Sequence, residues 1–260
     1  MLIHSAFPCG YLDQNTAASQ GLVSIRRSSV FIGVDHIHAA LSGRSSIRIT
    51  SENLYTPGLF ISNLAHMPGS ICDTKPPDVH TNARTSIALY TSDRCSINRN
   101  DESETVQTSN CYVQAAGQSN NVGCSIAVST PWNVPPSSPN LLQRSIKAPS
   151  AIEFRYLIYS SAPGDINSNF PNPGGWSTAL ANSAGNCDID THFTNHMILF
   201  DLAFCRDWAG GVWEGTPSCS GLACKCTDYV ANNPSSFQES CWLINSLRVH
   251  PWKKKLRYAR

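Results

Sequence analysis

Charge is scarce in this chain: 14% of its 260 residues are Asp, Glu, Lys or Arg, with 19 basic against 18 acidic. Five of the basic residues, Lys253, Lys254, Lys255, Arg257 and Arg260, stand within the last ten positions, and no acid accompanies them. Without those five the balance is 14 against 18, so the body is mildly acidic and offers no surface built for polyanions. Residues 251–260 read as a solvated basic tail. No apolar run approaches the ~20 residues that cross a bilayer, so no helical membrane span is expected. Eight histidines are present, His36, His38, His192 and His196 among them, but no Gly-x-Ser-x-Gly elbow presents a nucleophile beside them. A glycine-rich phosphate loop is missing as well. The opening stretch from Met1 to Cys9 has no basic n-region and only a short apolar run, so an export leader is expected to be absent from this beginning.

Cysteine is abundant. Eleven cysteines accompany 16 glycines and 16 prolines, the composition of a loop-rich protein that matures in an oxidising, extracellular compartment. The odd count leaves at least one thiol unpaired. A zinc site needs two ligand pairs at short spacing, and only Cys224-x-Cys226 comes close, so disulfides are expected and a metal is not.

Alternation of apolar and polar residues dominates the readable segments. Strands are predicted over Val30–Val34, Ser46–Thr50, Gly58–Ser62, Thr85–Thr91, Ile152–Tyr159, Met197–Ala203 and Cys241–Val249. Helix signals are few: one or two short turns over Asp228–Asn233 and Ser235–Glu239, divided by Pro234. Short strands separated by Gly, Pro and Asn loops define an all-β sandwich. Two stretches depart from the pattern. Residues 70–80 have no periodicity, and residues 130–150 hold five prolines, so both are expected to be irregular within one domain over residues 1–250.

Several collinear runs resemble fungal members of glycoside hydrolase family 16, the laminarinase-like endo-1,3(4)-β-glucanases. They are Gly10–Val23, Ser42–Thr50 and Tyr55–Pro68, then Gly185–Phe193, Phe204–Gly210, Asp228–Phe237 and Trp242–Leu247. The resemblance implies a concanavalin-like β-jelly roll of two antiparallel sheets. It also implies hydrolysis of β-1,3- or mixed-linked glucan with retention, a β-glucan partner, a monomer, and no cofactor or metal.

Retaining hydrolysis needs two carboxyl groups about 5–5.5 Å apart. The family supplies them from one strand, in a pattern like Glu-Ile-Asp-Ile-Ile-Glu, which should follow Met67-Pro68 and precede the strand at Thr85–Thr91. Only about a dozen residues separate those flanks here, and none is Glu. Asp73 and Asp78 are present, but Pro76 and Pro77 stand between them and cannot donate to a sheet ladder. Asp188-Ile-Asp190 echoes half of the motif, yet the family places that stretch far downstream as a turn or loop. Asp101, Glu102 and Glu104 read as a solvated loop.

No catalytic residue is therefore assigned, and the sandwich is expected to lack its catalytic strand. The remaining substrate-binding candidates are Glu153, where the family shows a Glu on an inner strand, and Trp176 and Trp213, whose rings suit the apolar face of a pyranose. Each indole serves equally well as core packing. Tyr90 stands where the family usually has His. Three readings follow: an inactive relative of the hydrolases, a non-catalytic β-glucan-binding protein, or the product of alternative or incorrect splicing.

Overall fold

A computed structural model describes residues 9–56, 58–68, 85–98, 104–118, 122–128, 140–147, 151–158, 162–176, 181–205, 213, 215 and 217–251. Its largest element is an eight-stranded sheet. In spatial order its strands are β2 (Val23–Arg26), β3 (Ser29–Ile32), β15 (Trp242–Pro251), β6 (Gly58–His66), β11 (Asn140–Lys147), β12 (Ala151–Ile158), β13 (Ala181–Asn186) and β8 (Ser96–Ile97). A second sheet sets β10 (Cys124–Val128) between β7 (Thr85–Leu89) and β9 (Glu104–Thr108). Two small pairs complete the strands: β1 (Cys9–Tyr11) beside β4 (Arg44–Ser46), and β5 (Arg48–Thr50) beside β14 (Leu199–Asp201). Every pairing except β1 with β4 is antiparallel.

β6 lies near the middle of the large sheet and buries residues on both faces. Leu59 and Ile61 pack with Ile166 and Trp176 of the loop over residues 162–176. Leu64, of opposite parity, packs with Ile32, Ile47, Ile244 and Ala17 on the other face. Ala17 belongs to helix α1 (Gln14–Ser19), a helix not expected from the sequence. Its N-cap, Asp13, accepts from the backbone N–H groups of Asn15 and Thr16, which meets donors the first turn leaves free.

The stretch over residues 130–150 needs correction, because Asn140–Lys147 form β11, paired along its length with β12 and over six positions with β6. Pro139 and Pro149 bracket this strand instead of interrupting it, which is where a ladder tolerates proline. Glu104, expected in a loop, begins β9. The remaining strand expectations coincide with β3, β4, β5, β6, β7, β12, β14 and β15, displaced by a residue or more at their ends. The irregular stretch over residues 70–80 lies outside the described residues.

Short helices gather near the carboxyl end: α3 (Pro217–Ser220), α4 (Cys226–Asn232) and a 3-10 turn at Pro234–Phe237. The last two match the helical turns read around Pro234. Three disulfides, Cys95–Cys187, Cys111–Cys124 and Cys205–Cys226, answer the choice between zinc and oxidised cysteines, and Cys219 is disulfide-bonded too. Cys224 and Cys241 are free thiols. No described helix is long and apolar enough to cross a membrane.

Candidate functional site

The chain leaving β7 alternates in burial: Leu89 and Thr91 are buried, whereas Tyr90 and Ser92 are exposed. Period-two alternation puts Ala88, Tyr90 and Ser92 on one face and Leu89 and Thr91 on the other. Leu89 joins a cluster of Cys95, Ile97, Cys111, Cys124, Ile126, Ile189 and Phe193. That core fixes the sheet and leaves Tyr90 and Ser92 exposed on the opposite face, where Ser125 is buried.

The outward face is rich in hydroxyls and amides. Ser125 of β10 pairs in register with both Ala88 and Thr108, so residues from all three strands form one row. Thr108 Oγ1 and Ser125 Oγ are hydrogen-bonded at 3.0 Å, and the Ser125 hydroxyl also donates to Gln107 Oε1 at 3.4 Å. A register shift between Ser125 and Ile126 is what lets neighbouring Gln107 and Thr108 reach the same serine. Tyr90 is 55% exposed. Its ring packs over Gly123, where a Cβ would stand 2.9 Å from Tyr90 Cδ1 and 2.2 Å from the Leu89 carbonyl oxygen.

His192 approaches from α2 (Ile189–His192), with Nδ1 3.0 Å from Ser92 Oγ. Asp188 caps this helix, accepting from the Thr191 hydroxyl at 2.6 Å and the Thr191 N–H at 3.3 Å. The Thr191 hydroxyl bond, followed by its backbone N–H, holds the Asp188 carboxyl below the usual carboxylate range. The Cys95–Cys187 disulfide and buried Ile189 and Phe193 anchor α2 beneath the face. Asp188, expected in a turn or loop, thus starts a single helical turn and spends its charge on structure.

Two further carboxylates, Asp165 and Glu239, are likewise occupied. Asp165 accepts from the Asn172 N–H at 2.6 Å and from the Trp176 indole N–H at 2.7 Å. Glu239 lies 3.1 Å from His66 Nε2. Among the described residues no group of three His, Cys, Asp or Glu side chains could hold a metal ion. Asp73, Asp78, Asp101 and Glu102 lie outside the described residues.

The three residues proposed from sequence fall in two places. Backbone register sets position 153 level with position 145 of β11, which is level with Leu59 of β6. Trp176 packs against that Leu59, with which the backbone of position 153 is thus level across β11. Trp176 is 9% exposed. Trp213 lies elsewhere, 4% exposed, its ring 5.0 Å from that of Tyr229 and its N–H donating to the Ala223 carbonyl at 2.9 Å. The row of Gln107, Thr108 and Ser125 and the Ser92–His192 contact were not singled out from sequence. The strand over Thr85–Thr91 was legible, but the register joining it to Ser125 and the arrival of α2 were not.

The folded chain is an all-β sandwich of the jelly-roll class. It belongs to glycoside hydrolase family 16: the profile described as "XgeA-like, catalytic GH16 domain" matches residues 8–77 and 78–250, in two segments that meet between Pro77 and Asp78. An endo-1,3(4)-beta-glucanase of Arthroderma benhamiae is 35% identical over 265 positions, covering 92% of this chain and 58% of the relative. A probable glycosidase of Schizosaccharomyces pombe is 34% identical over 271 positions, covering 93% of this chain and 62% of the relative. The chain thus spans about six-tenths of the length of these two relatives. Both matches run longer than the 260 residues available, so each relative carries positions with no counterpart here.

Among solved structures, an elongating family 16 beta-1,3-glucosyltransferase superposes with a TM-score of 0.78 at 28% identity, covering 94% of this chain and 90% of the other. Laminarinase 16A from Phanerochaete chrysosporium, solved with two 6-O-glucosyl-laminaritriose molecules in donor and acceptor sites, gives 0.76 at 27% identity with the same coverage.

Proposed function

We propose that this chain retains β-glucan recognition from a family whose chemistry is retaining hydrolysis of β-1,3- or mixed-linked glucan, and that it does not cleave the polymer. The observation that carries this reading is the break of the family match between Pro77 and Asp78, in an interval where residues 69–84 contain no Glu. Retention requires a nucleophile and an acid/base set about 5–5.5 Å apart, and no carboxylate pair is assigned to that task.

Support for binding comes from the outward face of the three-stranded sheet. A half-exposed Tyr90 ring offers an apolar platform, while Ser92, His192, Gln107 and Thr108 offer donors and acceptors for sugar hydroxyls. Glu153 and Trp176, and separately Trp213, are kept as further substrate contacts. Extracellular action is supported by the disulfides and the fungal relatives. We read residues 1–250 as one domain and 251–260 as an appended basic tail.

The test is retardation of the purified protein in a native gel containing laminarin, run beside a reducing-sugar assay on the same polysaccharide. Retardation without sugar release is the expected result. Release of reducing sugar would overturn the inactivity, and unretarded migration would overturn the binding.

A second reading is favoured by the same break: the chain is one splice product of a gene whose other product is a hydrolase. Sequencing transcripts across the codons for Met67 to His80 tests it. A longer product with a Glu-x-Asp-x-x-Glu stretch supports that reading, and a uniform transcript without one removes it.

A further inference from the structure

A cleft of about 340 Å³ opens beside the β2–β3 hairpin, at the β2 margin of the eight-stranded sheet. Its walls include Gln20 at the end of α1, Arg26 and Phe31 of the hairpin, and Asp35, His36 and His38 of the loop that follows β3. The volume falls within the range of small-molecule pockets.

The polar groups of the cleft are held in place one by one. Gly33 has no side chain where the Phe31 ring lies, and a Cβ there would stand 2.6 Å from Phe31 Cζ. The ring in turn carries Arg26, whose guanidinium carbon is 3.3 Å from the ring centroid. Only a parallel stack fits in that separation, so the N–H donors fan outward around the edge of the ring. Arg26 is exposed and has neither a hydrogen-bond acceptor nor a carboxylate partner among the described residues. Asp35, the one carboxylate on the wall, is already engaged. Its Oδ1 accepts from the N–H groups of Ile37 at 2.9 Å and His38 at 3.2 Å, and its Oδ2 faces His38 Nδ1 at 3.2 Å. Arg26 is thereby left as the uncompensated charge of the cleft. His36 Nδ1 lies 3.3 Å from the Val34 carbonyl, which can only accept, so in the neutral ring Nε2 is an acceptor. Gln20 adds an amide that both donates and accepts.

We infer that this cleft binds a uronate, a sugar that carries one carboxylate. The carboxylate matches the Arg26 fork with two parallel N–H···O bonds, and the sugar hydroxyls find an acceptor in His36 and both kinds of partner in Gln20. A neutral hexose would leave the guanidinium without its match, and a bare carboxylate would leave the imidazole and amide unused. The cleft belongs to a different sheet from the proposed glucan face, and the inference holds whether or not that face binds laminarin.

NMR titration of the full chain at constant pH tests it, following the ring signals of His36 and His38 as assigned through His36→Gln and His38→Gln. Sodium galacturonate should give saturable shifts with a dissociation constant of about 10 mM or below, whereas galactose and sodium acetate should bind about tenfold more weakly or worse. Arg26→Gln should raise the galacturonate constant about tenfold or more. Gly33→Ala should also raise it, by displacing the Phe31 ring while the guanidinium remains. Arg27→Gln removes an adjacent exposed charge that does not line the cleft, and should change nothing. Circular dichroism melting shows that each variant is folded. Trigalacturonate bound more tightly than galacturonate places the natural uronate in a polysaccharide, and equal binding places it in a free sugar. Absence of saturation, equal affinity for galactose, or a folded Arg26→Gln variant that binds like the wild type overturns the inference.

Discussion

Arg44 Nε donates to the carbonyl oxygen of Val230 at 3.0 Å, across 186 residues of sequence. The guanidinium is fully buried and also reaches the carbonyls of Asp35 and His38, while it lies 4.7 Å over the ring of Phe237. Val230 stands in the last turn of α4, where unpaired carbonyls favour a cation. One side chain thus ties the loop after β3 to the carboxyl-terminal helix.

Truncating that bolt should be severe. Arg44→Ala leaves buried carbonyls without donors and opens a cavity against Phe237, a loss of about 3–5 kcal/mol. Arg44→Lys keeps the charge but not the fork of donors, and should recover only part of the loss. Chemical denaturation midpoints at constant slope measure both.

Gly123 tests the scaffold beneath Tyr90. Its φ is +61°, and an added Cβ would stand 2.2 Å from the Leu89 carbonyl oxygen, a backbone atom that cannot swing aside. Gly123→Ala should therefore cost about 1–3 kcal/mol, and any folded fraction should bind laminarin less well because the Tyr90 ring must move. Thermal melting and gel retardation report the two effects separately.

Cys241 and Cys224 should react differently. Burial, followed by the nearby Glu239 charge, pushes the Cys241 thiol up from 9.0 to about 11, whereas Cys224 is exposed. In a thiol-labelling time course at pH 8, followed residue by residue by mass spectrometry, Cys224 should be labelled faster than Cys241. The folded pKa lies above the unfolded one, so the unfolded chain loses this proton first. The contribution of Cys241 to stability is whole below pH 9 and declines as pH rises from about 9 to about 11. A Cys241→Ser variant whose stability follows the same alkaline course as wild type would contradict this.

The Cys95–Cys187 bridge closes a loop across 92 residues and fastens α2 under His192. Replacing both cysteines with Ala should lower stability by about 3–5 kcal/mol, more than the same change at Cys111–Cys124, which spans 13. Binding at the Ser92–His192 contact should weaken with it. Melting temperature and laminarin retardation for the two double variants give the comparison.

Local patterns carried much of the architecture. Alternation marked β3, β6, β7, β12 and β15, Pro234 divided α4 from the following 3-10 turn, and cysteine number with spacing pointed to disulfides rather than zinc. Those signals are short-range, because strand period, proline geometry and ligand spacing are properties of neighbouring residues. β11 was hidden because five prolines dominate residues 130–150, and nothing local says that Pro139 and Pro149 flank a strand rather than break one. The collinear runs and the missing Glu-x-Asp-x-x-Glu stretch were properties of the sequence alone, since the presence or absence of a carboxylate needs no fold. Which surface faces outward was decided by tertiary structure. Register joined Ala88 to Ser125 and Thr108, packing of α2 brought His192 to Ser92 across 100 residues, and burial of Arg44 fixed its partners at Val230. Contacts at that separation depend on how sheets close and which apolar face each element must bury, and no local window of sequence contains that choice.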